Sequence, residues 1–210
     1  MDTVMQPWNR NGYLLKQNFI LFCFALLCWF IFTNQPCTAL EAPQKININS
    51  FTCGAGWGSD FCKPHAMKVD LYLPKQSTAT PLVILQHGSG GVNSAVIDKI
   101  KLLTDHNFAV VVTDAFTSRG IAKSHFDYAS VAAKGGNARS MSLDALAIIR
   151  ALQKDPRVDV KKSVVIGFSQ GGLVGYWLKS DQFLKSTAVP LFGYTIQPRL
   201  IIAMYGCSGE

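Results

Sequence analysis

A serine flanked by glycines is the part of this sequence best suited to chemistry. Ser169 is the central residue of the segment GFSQG at 167–171, which follows an apolar run and precedes a helical pattern. In the G-x-S-x-G pattern, small neighbours allow a turn so tight that the serine hydroxyl projects at the head of the next helix. The helix N-terminus favours negative charge developing beside it. We interpret Ser169 as a nucleophile; the alternative is a serine that only caps the helix.

A glycine-rich loop after an earlier apolar run could stabilise the oxyanion that such a nucleophile creates. The loop reads HGSGG from His87 to Gly91. The backbone N–H groups of Ser89 and Gln170 could together hold the oxyanion. A phosphate-binding loop is disfavoured, because neither of the two common glycine-rich phosphate patterns can be written here. His87 itself is interpreted as a hydrogen-bonded residue that braces the loop rather than as a general base.

A cation follows the next apolar run along the chain. The segment DAFTSRG at 114–120 places Arg119 shortly after that run ends. A guanidinium group can bind a substrate carboxylate through two parallel hydrogen bonds. An ion pair inside the protein, with Asp114 or Asp127, is the alternative. His125 and Asp127 lie in an unpatterned stretch and are predicted to be loop residues.

Alternating strands and helices are predicted to position these groups. The strand patterns occupy 68–73, 81–86, 108–113, 163–167 and 199–205, and the helix patterns occupy 94–106, 138–153 and 171 to about 179. Short continuous aliphatic runs are typical of parallel strands that are covered on both faces. The order therefore predicts an α/β fold with a mostly parallel sheet. In such sheets ligands bind beyond the carboxyl ends of the strands, where all three polar segments lie.

The chain resembles the dienelactone hydrolase family of the α/β-hydrolase superfamily over roughly residues 68–207. The resemblance is carried by the segments HGSGG, DAFTSRG, DPRVD and GFSQGG and by the last strand, which ends Tyr205-Gly206-Cys207. It implies a three-layer α/β-hydrolase fold with helices on both faces of the sheet. It also implies cleavage of a small-molecule ester or lactone through an acyl-enzyme, without a metal or an organic cofactor.

The resemblance also assigns residues. Ser169 falls where the family has its nucleophile, and Arg119 lies near a carboxylate-binding arginine of dienelactone hydrolase itself. The founding enzyme has cysteine where this chain has Ser169 and glutamate where it has His87, so dienelactone is not the expected substrate.

The family's triad runs in the order nucleophile, acid, histidine. All four histidines of this chain precede Ser169, and only Asp181 and Glu210 follow it as acids. We therefore expect a C-terminally incomplete fold and a nearly inactive chain, because a serine without a base loses most of its activation. Three accounts remain open. The chain is either the amino-terminal part of a longer esterase, or a non-catalytic homologue that binds an acyl ligand or a partner protein, or a serine peptidase with the same tight serine turn.

The amino terminus reads as a targeting segment. Residues 19–32 are uninterrupted apolar residues preceded by Arg10 and Lys16. A helix of this run would cover only about 21 Å, against a hydrocarbon core of ~30 Å. Residues 1–39 are therefore predicted to be a signal peptide, or else a membrane anchor that spans the membrane within residues 13–33. Either interpretation predicts an extracytoplasmic body, periplasmic or secreted.

The remaining sequence divides into a segment at 40–66 and a partial hydrolase domain at 67–210. Cys53 and Cys62 are disulfide candidates in an oxidising compartment. A metal site of Cys53, Cys62 and His65 is disfavoured because the spacing is wide and no fourth ligand is evident. Cys207 is left over. The formal net charge is +7, with 49% hydrophobic and 16% charged residues and no basic cluster, which argues against a disordered chain and against nucleic-acid binding.

Overall fold

The computed structural model of the protein describes residues 40–75, 78–122, 128–194 and 196–205. The predicted leader at 1–39 lies outside the described residues, as do His125, Asp127 and Cys207. The elements below all belong to the compact unit Glu41–Glu210.

No helix within the described ranges is both long enough and apolar enough to cross a membrane.

The described residues form one six-stranded sheet in the order β1-β2-β4-β3-β5-β6. The strands are β1 Gln44–Cys53, β2 Cys62–Tyr72, β3 Thr80–Gln86, β4 Ala109–Thr113, β5 Val158–Phe168 and β6 Leu200–Met204. β1 and β2 are antiparallel to their neighbours, whereas β4, β3, β5 and β6 run parallel to one another. The predicted mostly parallel sheet is thus confirmed, with β6 at one edge of the described part.

Helices cover both faces of this sheet. They are α1 Ser94–Asp105, α2 Tyr128–Ala133, α3 Ala138–Leu152, α4 Val174–Lys179, α5 Asp181–Phe183 and α6 Val189–Phe192, with a π-helical turn Leu184–Ala188 between the last two. Alternate residues of β3 pack on opposite sides, as the two-residue period of a strand requires. Leu82 and Ile84 join the core beneath α3 and α4, while Val83 and Leu85 join the core beneath α1. This is the predicted three-layer arrangement.

Asparagine side chains define where the two long helices begin. Asn93 accepts a hydrogen bond from the Val96 N–H at the start of α1. Asn137 accepts one from the Ser140 N–H at the start of α3. Each satisfies a backbone donor that has no partner inside the helix. α1 therefore begins directly after the glycine-rich loop, whereas α2 lies between the segment at 114–120 and α3.

The strand β1 was missing from the sequence-based prediction. Its residues are largely polar, and only Ile48, Ser50 and Cys53 have fully buried side chains. These residues pack toward α3, so the strand reads as a loop until its neighbours are known. β2 and β5 are also longer than predicted, and each extends by several residues at its start.

A disulfide joins β1 to β2 at one end of their ladder. Cys53 and Cys62 form the last register pair of the two strands, and their sulfur atoms are 1.97 Å apart. The bond closes the turn at 54–61, and it leaves neither cysteine with a thiolate that could bind a metal. It therefore rules out the disfavoured metal site of Cys53, Cys62 and His65, and it agrees with the predicted pairing.

Candidate active site

Ser169 lies in a strained turn between β5 and α4. β5 ends at Phe168, and the 3-10 turn Ser169–Leu173 leads into α4. The φ angle of Ser169 is 52°, in the left-handed region that residues other than glycine seldom occupy. Such strain persists where the surrounding structure enforces it, and it is concentrated at functional sites. The turn matches the geometry that the G-x-S-x-G pattern predicts.

Two glycines of the pattern are required by close backbone contacts. A Cβ atom on Gly167 would lie 2.0 Å from the carbonyl oxygen of Gly171. A Cβ atom on Gly171 would lie 2.4 Å from the carbonyl oxygen of Gln86. A side chain at Gly167 would collide with Gly171 inside the turn, whereas one at Gly171 would force the turn away from β3. The first glycine therefore keeps the turn tight, and the second allows it to lie directly against the end of the neighbouring strand.

The glycine-rich loop after β3 meets the serine turn. Gln86 and Gly167 are register partners in the parallel pair of β3 and β5, so both strands end at the same level. An ideal Cβ on Gly88 would lie 3.1 Å from the Ser169 Cβ and 3.7 Å from its Oγ. The structure thus brings the loop that contains Ser89 against Ser169. Gln170 follows within the turn, so the two predicted oxyanion residues flank the serine.

A cavity of about 330 Å³ opens at this point. Its described lining residues are Gly88, Ser89, Gly90, Asn93, Ala95, Val96, Lys99, Phe168, Ser169 and Tyr205. Among them Lys99 carries the only charge, and none is a histidine. The arrangement can hold a small organic molecule beside a serine hydroxyl and next to backbone donors.

The comparison with protein-family profiles identifies the family. The profile of the dienelactone hydrolase family matches residues 67–205. The chain belongs to the dienelactone hydrolase family. A search of curated proteins gave no significant match.

The fold of this dienelactone hydrolase family member is similar to that of a solved structure. A Klebsiella pneumoniae protein named for the dienelactone hydrolases is 16% identical, with a TM-score of 0.50, and the match covers 80% of this chain and 62% of that one. A dienelactone hydrolase-like promiscuous phosphotriesterase from metagenomic libraries is 23% identical over 63% of this chain and 52% of its own, with a TM-score of 0.42. The family member described here thus spans less than two thirds of the length of either structure.

Arg119 of this dienelactone hydrolase family member does not serve the cavity, so the substrate-binding role expected of it is wrong. Its side chain is 1% exposed and forms an ion pair with Asp144, with N–O distances of 2.9 and 3.0 Å. Its Nε donates to the Thr52 hydroxyl at 2.9 Å. With its donors used inside the protein, the guanidinium has no free edge for a substrate carboxylate. The ion-pair alternative holds, but with a partner that the sequence had not indicated.

Asp144 is the residue that sequence reasoning missed here. It is the single acidic residue of α3, it is fully buried, and it also accepts a hydrogen bond of 2.6 Å from Ser50 of β1. A lone carboxylate directly before the apolar run Ala145–Ile149 is a usable signal, because a buried charge requires a partner. The Arg119–Asp144 pair fastens the turn after β4 to α3 and β1.

His87 is a bracing residue, as the sequence predicted. The Ala115 N–H donates to its Nε2 at 3.2 Å, so the proton of the neutral ring is on Nδ1, which donates to the Gly88 carbonyl at 2.6 Å. The ring packs edge-on against Phe116, with 4.6 Å between ring centroids. Both ring nitrogens are engaged, so His87 holds the glycine-rich loop and is not positioned as a base for Ser169.

Three further lining residues were not singled out by sequence. Asn93 and Lys99 lie at and near the start of α1, and Tyr205 follows β6. The signal for Lys99 is its helical spacing from Ala95 and Val96, which places all three on the face that follows the glycine-rich loop. Tyr205 has a φ angle of 42°, and its ring lies 6.3 Å from that of Phe168.

Proposed function

We propose that this protein is a serine hydrolase that cleaves a carboxylic ester or lactone through an acyl-enzyme on Ser169. The observation that carries the proposal is the strained φ of 52° at Ser169, where the serine lines a cavity against the glycine-rich loop. A structural capping serine requires no such backbone strain. Membership of a hydrolase family is consistent with this assignment.

The proposed chemistry has two steps. In the first, Ser169 Oγ attacks the ester carbonyl carbon and gives its proton to a base, and the carbonyl oxygen becomes an oxyanion. The N–H groups of Ser89 and Gln170 hold that oxyanion until the alcohol leaves with the proton. In the second, water attacks the acyl-enzyme, and the acid is released as the Ser169 hydroxyl is restored.

The base is the part of the mechanism that the described residues do not supply. No histidine is among the described residues that line the cavity. His87 is occupied as above, His65 contacts Ser118, and His106 contacts the Leu102 carbonyl. We propose that the 210-residue chain reacts slowly at Ser169 for this reason. The same observation favours a second candidate, a non-catalytic homologue that binds an acyl ligand in the cavity.

Covalent labelling tests the first candidate against the second. The full chain is treated with a fluorophosphonate, which forms a stable bond to an activated serine, and the modified peptide is identified by mass spectrometry. We expect slow labelling at Ser169 that is accelerated by added imidazole, because a free base can enter a cavity of this size. Ser169→Ala should abolish it.

Ser118→Ala is the matched control. Ser118 is a half-buried serine that lies 3.2 Å from His65 Nε2, so it tests whether any serine next to an imidazole would react. This variant should label like the wild-type protein. Labelling that survives Ser169→Ala would contradict the assigned nucleophile. A wild-type chain that stays unlabelled with imidazole present would favour the binding function.

We also propose an extracytoplasmic location, either secreted or periplasmic, or anchored through the amino-terminal segment. The Cys53–Cys62 disulfide supports it, because such bonds persist in oxidising compartments and are rare in the cytosol. The mass and the N-terminal sequence of protein isolated from the source cell test this proposal. A mature chain that begins near residue 40 indicates a cleaved signal peptide, and an intact leader in a membrane fraction indicates an anchor.

A further inference from the structure

Gln170, whose backbone N–H is proposed to bind the oxyanion, is held in place by a hydrogen bond of its own side chain. Gln170 is 7% exposed, and its Nε2 donates to the Gly136 carbonyl at 2.6 Å. Within the described part of the chain, its Oε1 has no hydrogen-bond partner. One short contact therefore fixes the amide group. The backbone N–H of Gln170 belongs to the same residue, so its direction depends on where Gly136 lies.

Gly136 lies in a tightly enclosed turn before α3. A Cβ atom there would lie 2.5 Å from Ile121 Cδ1 and 2.9 Å from Val131 Cγ1. Its N–H donates to the Val131 carbonyl at 2.8 Å. The turn cannot shift toward this cluster. The chain continues from this turn into Asn137.

Asn137 ties this turn to the disulfide. Its Oδ1 accepts from the Ser140 N–H at 2.9 Å, which caps α3, and its Nδ2 donates to the Cys53 carbonyl at 2.8 Å. The Cys53 N–H in turn donates to the Ser140 hydroxyl at 2.9 Å. Arg139 donates to the carbonyls of Gly54 and Gly56 within the disulfide-closed turn. The first turn of α3 is thus docked on backbone atoms that the disulfide holds.

A second contact joins the disulfide-closed turn to α4, the helix that follows Ser169. Trp57 lies within the turn and stacks on Trp177 of α4, with 5.3 Å between ring centroids. The turn at 54–61 therefore contacts both the first turn of α3 and the helix α4 that follows the serine turn. One route is polar and passes through α3, and the other is aromatic and reaches α4 directly.

We propose that the Cys53–Cys62 disulfide controls the geometry of the Ser169–Gln170 turn, with Asn137 and Gln170 as positioning residues. The coupling runs from Cys53 to Asn137, from Asn137 to the adjacent Gly136, and from Gly136 to the Gln170 side chain. Its consequence for catalysis rests on the proposed function. A dithiol that reduces the disulfide is itself oxidised to a disulfide, and the protein gains two cysteine thiols. Reduction releases the turn and loosens the oxyanion donor.

Amide hydrogen exchange tests the coupling without requiring any reaction at Ser169. The full chain is compared oxidised, reduced with dithiothreitol, and as the Cys53→Ala, Cys62→Ala double variant. We expect exchange in residues 168–173 to accelerate about fivefold or more, the lower end of ordinary coupling between sites. In α1, whose buried residues belong to the other core cluster, amides that exchange through local openings should keep their exchange rate, and only those that exchange through global unfolding should follow the loss of overall stability. Loosening of 54–61 with no change at 168–173 would overturn the proposal, as would equal loosening of α1.

Two substitutions test the positioning residues. Gln170→Met keeps the volume and the backbone N–H but removes the bond to Gly136. Asn137→Asp keeps the α3 cap but removes the donor to Cys53. For labelling at Ser169 with imidazole present, each should lower the maximal rate about tenfold, less than the ~10² to 10³ for losing an oxyanion donor. Half-saturation should not change, because probe binding does not involve these side chains. Gln153→Met, at a glutamine bonded to Tyr194 far along the chain, is the matched control.

The outcomes separate the two proposals. If Ser169 never reacts but reduction still accelerates exchange at 168–173, the coupling stands and the hydrolase assignment fails. If Ser169 reacts and both variants, like Gln153→Met, leave the rate unchanged, the hydrolase assignment stands and the positioning role fails.

Discussion

The turns that follow β4 and β5 leave the same edge of the sheet, and they use their polar residues in opposite ways. The turn after β5 directs Ser169 into the cavity at the cost of a strained backbone. The turn after β4 directs Arg119 inward, where Asp144 and Thr52 satisfy it. One turn leaves a serine hydroxyl accessible from the cavity, and the other withdraws a charged group from solvent.

This difference shows that a position at the carboxyl end of a strand does not by itself make a residue functional. Each turn directly follows the carboxyl end of a parallel strand, β4 or β5. The two turns differ in their surroundings. Ser169 lies in a turn that requires glycines and lines a cavity, whereas Arg119 forms an ion pair with a carboxylate of α3. The predictions that follow test whether the division between a reactive turn and a structural turn holds.

Removing the partner of Arg119 should have the largest effect on stability. Asp144→Ala leaves a buried guanidinium unpaired, which we expect to lower the free energy of unfolding by about 3 to 5 kcal/mol. Urea denaturation measures it. Asp105→Ala removes one member of the exposed Lys101–Asp105 pair and should cost less than about 1 kcal/mol. The division between the turns fails if Asp144→Ala leaves stability intact but abolishes labelling at Ser169.

Removing the disulfide should have the next largest effect. The Cys53→Ala, Cys62→Ala double variant frees a short loop in the unfolded chain, so we expect a loss of about 2 to 3 kcal/mol. The same loss should follow reduction of the wild-type protein in urea denaturation. If the reduced protein were as stable as the oxidised one, the β1–β2 end would hold without its crosslink.

Relieving the strain at Ser169 should raise stability by a smaller amount. Ser169→Gly allows a φ of 52° without steric cost, so we expect a gain of about 1 kcal/mol in the free energy of unfolding. Ser169→Ala also removes the hydroxyl but keeps the Cβ, and it should give no such gain. Thermal unfolding of the two variants decides the matter. Equal stabilities would mean that the turn stores no strain.

The smallest effect should be a dependence of the free energy of unfolding on pH, caused by His65. Burial, and then the charge of Arg119, lower the pKa of His65 below its usual value of 6.5. Near and below that pH the unfolded chain binds the proton more readily than the folded one, so stability should fall as the pH drops through 6.5 toward the lowered pKa of the folded protein. The loss is small because the imidazole is partly exposed. His65→Gln should flatten this part of the profile, and an unchanged slope would assign it to other groups.

The parts of the fold that could be predicted from sequence are those with strong local patterns. The helix at α1 and the strands at β3 and β4 have the periodicity of their final environments, so their bounds were predicted to within one residue. β1 was missed because its polar residues face outward and its few buried ones pack on α3. Its role becomes visible only through its partner β2.

The site divides in the same way. The proposed nucleophile and its glycines form a local pattern, because one tight turn requires all of them within five residues. The role of Arg119 was mistaken because its partner, Asp144, lies 25 residues further along the chain. No short-range pattern can specify such a pairing, since it depends on how α3 crosses β1.

The sequence by itself determined the order of the four parallel strands and of the helices α1, α3 and α4, together with the serine turn and the glycine-rich loop, because each depends on backbone conformation within a few residues. Only the tertiary structure decided which polar groups face the cavity and which are buried. It withdrew Arg119 and His87 into hydrogen bonds, placed Lys99 on the cavity wall, and connected Cys53 to Gln170 through Asn137. These outcomes depend on contacts between segments that are distant along the chain, and packing alone brings those segments together.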